Sequence, residues 1–440
     1  MTEQMPADQP FGVELRRRRS AAGLSLQNLA LSSHYSKGHI SKVEAGLKPP
    51  SPDFARRVDA VLGANGQLLA MALKLAETRR ASGAQQHSLD VTWPLAIGHL
   101  DVGKDLLTGV GNERAALAHI ISRAPTPGID QDALLDTFRA ILQNMRELGQ
   151  VLDPWSMMPM LTSQTVVLRE LASRVNPSAT REAMCLAARF AEYTGWMAQE
   201  TGDNLSARRW TDLAVQLARE AGDQDLVAYA YVRYANMALY QQDAFGVISL
   251  ARQVQEMDCS NRVRGLATLR EAQGHALAGD EPSFRRCIQL SADLFSRAGG
   301  GDSEVLILGS TKIPDAVALA EGWSLYDLGQ SAMAIEILSS LLERVPKGAK
   351  RAWARVGARL ALALASIREI ERCCELLYPI LNLAPAVQSA TIRSDLRDLA
   401  RVLNRWRLDP EVQRVMPMLS SALATRELEA PMLMHHESWM

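Results

Sequence analysis

An all-α protein in two parts, a small head of five short helices followed by a long array of helical hairpins, is the fold class this sequence predicts. Three observations carry that expectation. Between Phe11 and Thr78, short apolar runs at helical spacing are cut by Gly23, by Pro49 to Pro52, and by Gly63, Asn65 and Gly66. Beyond Pro154 the spacing continues as helix after helix, with short turns at Gly202-Asp203, Gln242-Asp243, Gly279-Asp280 and Gly329-Gln330. Charge is also divided unevenly. Residues 11–80 hold 12 basic and 5 acidic side chains, a balance of +7, so the rest of this 440-residue chain sums to −8 to give the overall −1.

Bulk properties exclude several classes. A 47% hydrophobic fraction supports a large buried core, and the length suits two or three domains. Cys185, Cys259, Cys287, Cys373 and Cys374 show no C-x-x-C or Cys/His ligand spacing, which reads as free thiols in a reducing compartment. The N-terminus has no apolar signal region, and no apolar run approaches the about 18 residues that span a bilayer, so a cytoplasmic location is expected. There is no phosphate-binding glycine loop, metal-ligand set or serine-centred nucleophile motif. The expectation is a protein without cofactor or metal that is not an enzyme.

In chain order, residues 1–10 are polar, carry two prolines and read as a disordered lead. Phe11 to Ala22 forms a first helix with Phe11, Leu15, Ala21 and Ala22 inward and Arg16 to Arg19 interrupting them. Gly23 ends it in a left-handed conformation. Ser25 then caps a second helix that turns Leu26, Leu29 and Ala30 inward, and Ser36 caps a third that buries Ile40 and Val43. Lys37, Gly38, Ser41 and Lys42 face out. A short helix held by a partner helix, with two lysines among small residues on its outer face, has the shape and charge to enter a major groove. Ser51 and Pro52 look like N-cap and N1 of a fourth helix running to Leu62, and Gln67 to Thr78 gives the fifth.

Residues 11–72 resemble the Cro/CI-type helix-turn-helix domain of the XRE family of bacterial repressors. The shared marks are the opening helix ending at Gly23, Leu24-Ser25, Leu29-Ala30, Ser36 followed by Ile40 and Val43, then Glu44 with Gly46, and the Pro-Ser-Pro start of the next helix. The resemblance implies that the helix beginning near Ser36 reads DNA, with Arg17, Gln27, Ser36, Lys37, Gly38, Ser41, Lys42 and Lys48 as candidate contacts. It also implies a pair between Arg19 and Glu44 that locks the reading helix to the first helix. Two positions depart from the family pattern: Leu26 stands where glutamine is frequent, and His34 where glycine is frequent. Both bear on operator contact more than on the fold.

Residues 81–130 read as a linker and irregular connector, flexible at Ala81 to Gln86, helical at Asn112 to Ser122 and broken at Pro125 to Gly128. Gln131 to Leu148 is an amphipathic helix. Hairpins are then expected over 180–201 with 205–221, 224–240 with 243–257, 262–278 with 281–298, 314–328 with 331–344, and 350–365 with 367–380, with an insertion at Gly299 to Ile313. Residues 131–409 thus form one repeat body, and 410–440 a helical tail whose apolar end, Pro431 to Met440, needs something to dock on.

This body resembles tetratricopeptide-type repeats, and its pairing with the head looks like a class of actinobacterial regulators and like peptide-pheromone receptors. The resemblance implies a TPR-like α-solenoid with a concave face for a peptide, a small molecule or a second subunit. First helices of hairpins line such a face, which makes Arg189, Tyr193, Trp196, Arg233, Asn236, Tyr240, Arg270 and Gln273 ligand candidates. The plainer alternative is that the asparagine and arginines satisfy hydrogen bonds between repeats, and that Trp196, Trp210, Trp323 and Trp353 pack repeat junctions. The function expected is a sequence-specific, double-stranded-DNA-binding transcriptional regulator, a homodimer on a palindromic operator, controlled by a bound effector. The alternative is a helical-repeat interaction scaffold with a vestigial head. Leu26 and the missing side chain at Gly38 favour it, whereas the +7 balance, Lys37 and Lys42 oppose it.

Overall fold

The computed structural model describes residues 11–33, 35, 37–46, 50, 52–64, 66–69, 71–72, 75, 130–298, 307–310 and 312–424. The lead, His34, Ser36, Lys48, Ser51, most of the connector and residues 425–440 lie outside them. The described residues are all-α, and the chain divides into two compact units, residues 1–100 and 101–440. Among the described residues no helix is long and apolar enough to cross a membrane.

The head is built from α1 (Phe11–Ala21), α2 (Leu26–Ser33), α3 (Lys37–Glu44) and α4 (Pro52–Leu62), with further helical residues at 67–69, 71–72 and 75. Its core joins Phe11, Leu15, Leu29, Ile40, Val43, Phe54 and Leu68. Gly23 takes φ +68°, and Leu24 N–H donates back to Arg19 O at 3.1 Å, which closes α1 as the left-handed glycine cap requires. Ser25 Oγ accepts from Asn28 N–H at 3.1 Å and caps α2. A second device was not visible in the sequence pattern. Buried Asp59 on α4 accepts from the backbone N–H groups of Gly66, Leu68 and Leu69 at 2.6, 2.7 and 3.2 Å, so one carboxylate fixes where the next helical segment begins.

The body begins with α5 (Gln131–Leu148) and α6 (Pro154–Ala172), both packed on α7 (Pro177–Thr201). Six hairpins follow: α7 with α8 (Asn204–Ala221), α9 (Gln224–Tyr240) with α10 (Ala244–Gln255), and α11 (Asn261–Ala278) with α12 (Glu281–Ser296) come first. Then α13 (Ala316–Asp327) pairs with α14 (Ser331–Arg344), α15 (Lys350–Ser366) with α16 (Ile370–Val387), and α17 (Ala390–Leu403) with α18 (Pro410–Ala424). The turn aspartates explain the hairpin boundaries. Asp203, Asp243 and Asp280 each accept the backbone N–H three residues on, at 3.0, 3.1 and 3.2 Å, and so start α8, α10 and α12.

Two features go beyond the expected solenoid. Helix α18, expected in a separate tail, packs on α16 and α17 and buries Val412, Val415 and Leu419. More consequentially, the first helices of the hairpins touch in sequence, α7 to α9 to α11 to α13 to α15 to α17, and α17 returns to α7. The concave face is therefore closed into a ring. The closing contact is polar. Glu200 on α7, fully buried, accepts from Arg351 Nη1 at 3.1 Å, Arg355 Nη2 at 2.6 Å and Thr391 Oγ1 at 2.9 Å, and also from Ser389 Oγ. Arg351 further donates to the carbonyls of Gly149 and Leu152 at 2.8 and 2.7 Å, tying the α5–α6 turn to α15.

Candidate nucleic-acid interface and cavity

The outer face of α3 presents Lys37, Gly38, Ser41 and Lys42 exposed, while Ile40 and Val43 on its opposite face are fully buried. Gln27 on α2 and Arg17 on α1 are exposed as well. Of the other candidate DNA contacts, Ser36 and Lys48 lie outside the described residues.

The run Arg16 to Arg19 is divided by one buried acid. Glu14, 1% exposed, receives Arg17 Nε at 2.7 Å and Arg18 Nε at 2.6 Å. The hydrogen bond from Arg17, opposed by burial and helped by Arg18, holds its carboxyl below the usual range. Arg18 also reaches Gln67. Arg19 turns the other way and makes a two-pronged bond to Glu44, Nε to Oε1 at 2.6 Å and Nη2 to Oε2 at 3.0 Å, while its Nη1 donates to Leu24 O at 2.8 Å. The fork-to-fork geometry fixes the angle between α1 and the end of α3. Backbone contact does the rest: a Cβ placed on Gly12 would meet Val43 O at 2.4 Å and Glu44 O at 2.7 Å.

Inside the ring of the body lies a cavity of about 800 Å³. Of the eight residues chosen from the sequence as ligand candidates, Tyr193, Trp196, Arg233, Asn236, Arg270 and Gln273 line it. Arg189 and Tyr240 stand outside the lining. Arg189 pairs with Asp223 at 2.8 Å, and Tyr240 packs edge-on against Trp323 with ring centroids 5.5 Å apart. Asn236 accepts from Arg270 Nη1 at 3.0 Å and donates to Gln199 Oε1 at 3.3 Å, so it joins α11, α9 and α7. That is the bonding between repeats which the plainer alternative anticipated.

Sequence reading missed Arg146, Arg262, Arg351 and Arg355, which also line the cavity. Their signal was weak because they come from the first helix, the inner strip of α11 and a helix of the fifth hairpin, and only closure of the ring collects them. Trp323 lines the cavity too, with the Arg359 guanidinium 3.4 Å from its ring centre, and Arg359 in turn pairs with Asp395 at 2.6 Å. Burial pushes Asp395 up to about 6 against the pull of Arg359 and Arg355. Burial also raises the Tyr193 phenol and pushes that of Tyr229 up to about 12, so both remain neutral donors at physiological pH.

One group of donor atoms elsewhere has metal-like composition. Glu271, His275 and Cys287 bring ligand atoms within 4.8 Å of one another. The protein already engages them: Arg252 Nε donates to Glu271 at 2.7 Å, and His275 Nδ1 lies 3.1 Å from Asp280. Burial pushes the Cys287 thiol up to about 11, which opposes the thiolate a metal needs. The set fits a side-chain network better than a metal centre.

A family model described as a helix-turn-helix domain matches residues 10–73. This is a non-catalytic DNA-binding module, and it supports a DNA-binding regulatory role. No curated protein and no solved structure matches the chain. The described part of the region that follows, from residue 130 on, is helical and repetitive, in the manner of TPR-like solenoids.

Proposed function

We propose that this protein is a sequence-specific transcriptional regulator of the Cro/CI type, acting as a cytoplasmic homodimer. Residues 11–80 bind a palindromic operator, and the repeat body, residues 131–409, senses a small-molecule or peptide effector. The observation that carries the DNA half is the division of α3: a fully buried apolar strip against the head core, and an outer strip of Lys37, Gly38, Ser41 and Lys42 left to solvent. A helix so held can enter a major groove without unfolding anything. Lys37 and Lys42 reach guanine edges or phosphates, and Gly38 permits close backbone approach. One head reads few base pairs, so two heads related by symmetry supply the affinity and the palindrome. The observation that supports the sensing half is a cavity of about 800 Å³ in the other unit, lined by arginines and by aromatic side chains.

Footprinting on genomic fragments that include the protein's own promoter tests the first half. Wild type should protect two half-sites about one helical turn apart. Lys37→Ala/Lys42→Ala should lose about a hundredfold in affinity, and the slope of log affinity against log salt should fall by about two where both lysines meet phosphate. Sequence-independent retention that salt abolishes, unchanged in the variant, would instead favour the scaffold reading.

A further inference from the structure

We infer that the cavity of the repeat body takes a small organic anion, an oxyanion head on an apolar or aromatic body, with Arg270 and Arg233 as its counter-charges. The inference rests on the sensing role proposed above and names the chemical class of the effector.

The first argument is charge. Eight arginine and lysine side chains line the cavity against two carboxylates, Glu192 and Asp315. Several of these cations are engaged by acids: Arg351 and Arg355 share Glu200, Lys312 reaches Glu147, and Arg233 forms an ion pair with Glu192 at 3.6 Å. Arg270 is different. It donates to a neutral amide, Asn236 Oδ1, its Nε has no hydrogen-bond partner, and among the described residues no carboxylate pairs with it. Arg270 is half-buried and lines the cavity. Protein surrounds it, and burial pulls its pKa down to about 10.

The second argument is unfilled hydrogen-bonding capacity. Arg233 is 5% exposed, lies 3.6 Å from Glu192 and leaves Nε and Nη2 without hydrogen bonds. Gln273 is 1% exposed and leaves its side-chain oxygen unpartnered. A buried donor without an acceptor costs free energy, and a charged one costs more. The free Gln273 oxygen is an acceptor and would take a hydroxyl or N–H of the ligand body, whereas two such donors, Arg233 on α9 and Arg270 on α11, line the same cavity. An oxyanion placed among them would accept from both arginines, and charge-assisted bonds of that kind are the stronger class.

The third argument concerns the rest of the ligand. Trp196, Tyr229, Phe295 and Trp323 supply flat apolar wall, and about 800 Å³ lies in the range that drug-sized molecules occupy. A peptide is the poorer fit. Asn236, the side chain suited to bond a peptide backbone, is already bonded on both sides, and the ring is closed by the Glu200 cluster.

The test uses the full-length protein, with calorimetric titration and thermal melting of the body. The probes are aliphatic and aromatic carboxylates, phenyl phosphate, the primary amides of the same acids, and inorganic phosphate. Acids should bind and raise the melting temperature, and their amides should bind at least about tenfold more weakly. Carboxylates outranking phenyl phosphate, or the reverse, identifies the head group. Arg270→Met should leave the unliganded body at least as stable as wild type, because it removes an uncompensated buried charge, and should abolish the acid-induced shift.

The proposal is overturned if no acid shifts the melt, if acids and amides bind alike, or if inorganic phosphate binds as tightly as phenyl phosphate. It is equally overturned if a short peptide is the tighter ligand, or if Arg270→Met is destabilised yet still binds acid. Operator footprints measured on the same preparations keep the two readings apart. Acid binding without any change in operator occupancy would sink the sensing role and leave the cavity's chemistry standing.

Discussion

Replacing Glu200 with alanine should cost the repeat body about 3–5 kcal/mol, the range expected when one member of a buried ion cluster is removed. Glu200 is 0% exposed, and the side chains it satisfies come from residues 151 to 191 positions further along the chain. Without it, Arg351, 1% exposed, and Arg355 would remain inside as unpaired charges, and the α7–α17 contact would lose its centre. Glu200→Gln keeps hydrogen-bonding atoms but not the charge, and should fall between wild type and alanine. The pH dependence has a definite sign. Burial would raise the Glu200 pKa, but Arg355, Arg351 and the hydroxyls of Ser389 and Thr391 together lower it. Its stabilisation is therefore complete above the unfolded carboxylate value of about 4.3 and is lost as pH falls through the lower folded value. Urea denaturation of the body, followed by circular dichroism at pH 7 and again in the acid range, measures both effects. A Glu200→Ala body within about 0.5 kcal/mol of wild type would mean the cluster does not hold the ring.

Local signals in the sequence carried most of the fold. Gly23, Ser25 and the turn aspartates act on residues three to five positions away, so their consequences are written beside them. The burial of Ile40 and Val43 and the exposure of Lys37 and Lys42 follow from helical periodicity in the same way. Ring closure does not. Nothing near Glu200 announces Arg351 or Ser389, because the partners become neighbours only after the small rotation between hairpins has accumulated over five repeats.

The cavity was half legible for the same reason. Membership of a first helix places a residue on the inner side, but one turn of helix decides whether it faces the cavity, as Arg233 and Arg270 do, or a neighbouring helix, as Arg189 does in reaching Asp223. Composition concealed the chemistry altogether. The chain outside residues 11–80 sums to −8, yet the wall of its cavity is strongly cationic. Most of the acids sit elsewhere on the body, and an anion entering the cavity would meet Arg270, which no carboxylate pairs among the described residues.

Gly12→Ala should destabilise the head selectively. In an ordinary helix the change would be favourable by about 1 kcal/mol, since alanine is the better helix former. Here the new methyl would stand 2.4 Å from Val43 O and 2.7 Å from Glu44 O, and both atoms belong to the backbone at the end of α3, so no rotamer can relieve the overlap. Either α3 moves away from α1 or the helix end distorts. The Arg19–Glu44 fork, with heavy-atom distances of 2.6 and 3.0 Å, stretches in both cases. Overpacking costs about 1–3 kcal/mol and occasionally more. Because both blocking atoms are backbone, this case belongs at or above about 3 kcal/mol. That outweighs the gain in propensity and leaves a net loss of about 2 kcal/mol or more. Gly23→Ala is the informative contrast. No atom lies within 4 Å of the added carbon, but φ +68° makes the substitution cost about 1 kcal/mol through backbone strain alone, with α3 left in place. Thermal unfolding should therefore show a lowered head transition in both variants, larger for Gly12→Ala, and an unchanged body transition. Operator affinity measured well below either transition should fall for Gly12→Ala and hold for Gly23→Ala. A Gly12→Ala head as stable as wild type would show that α1 and the end of α3 do not depend on that close approach, and would remove the physical basis for treating their packing as what aims the reading helix.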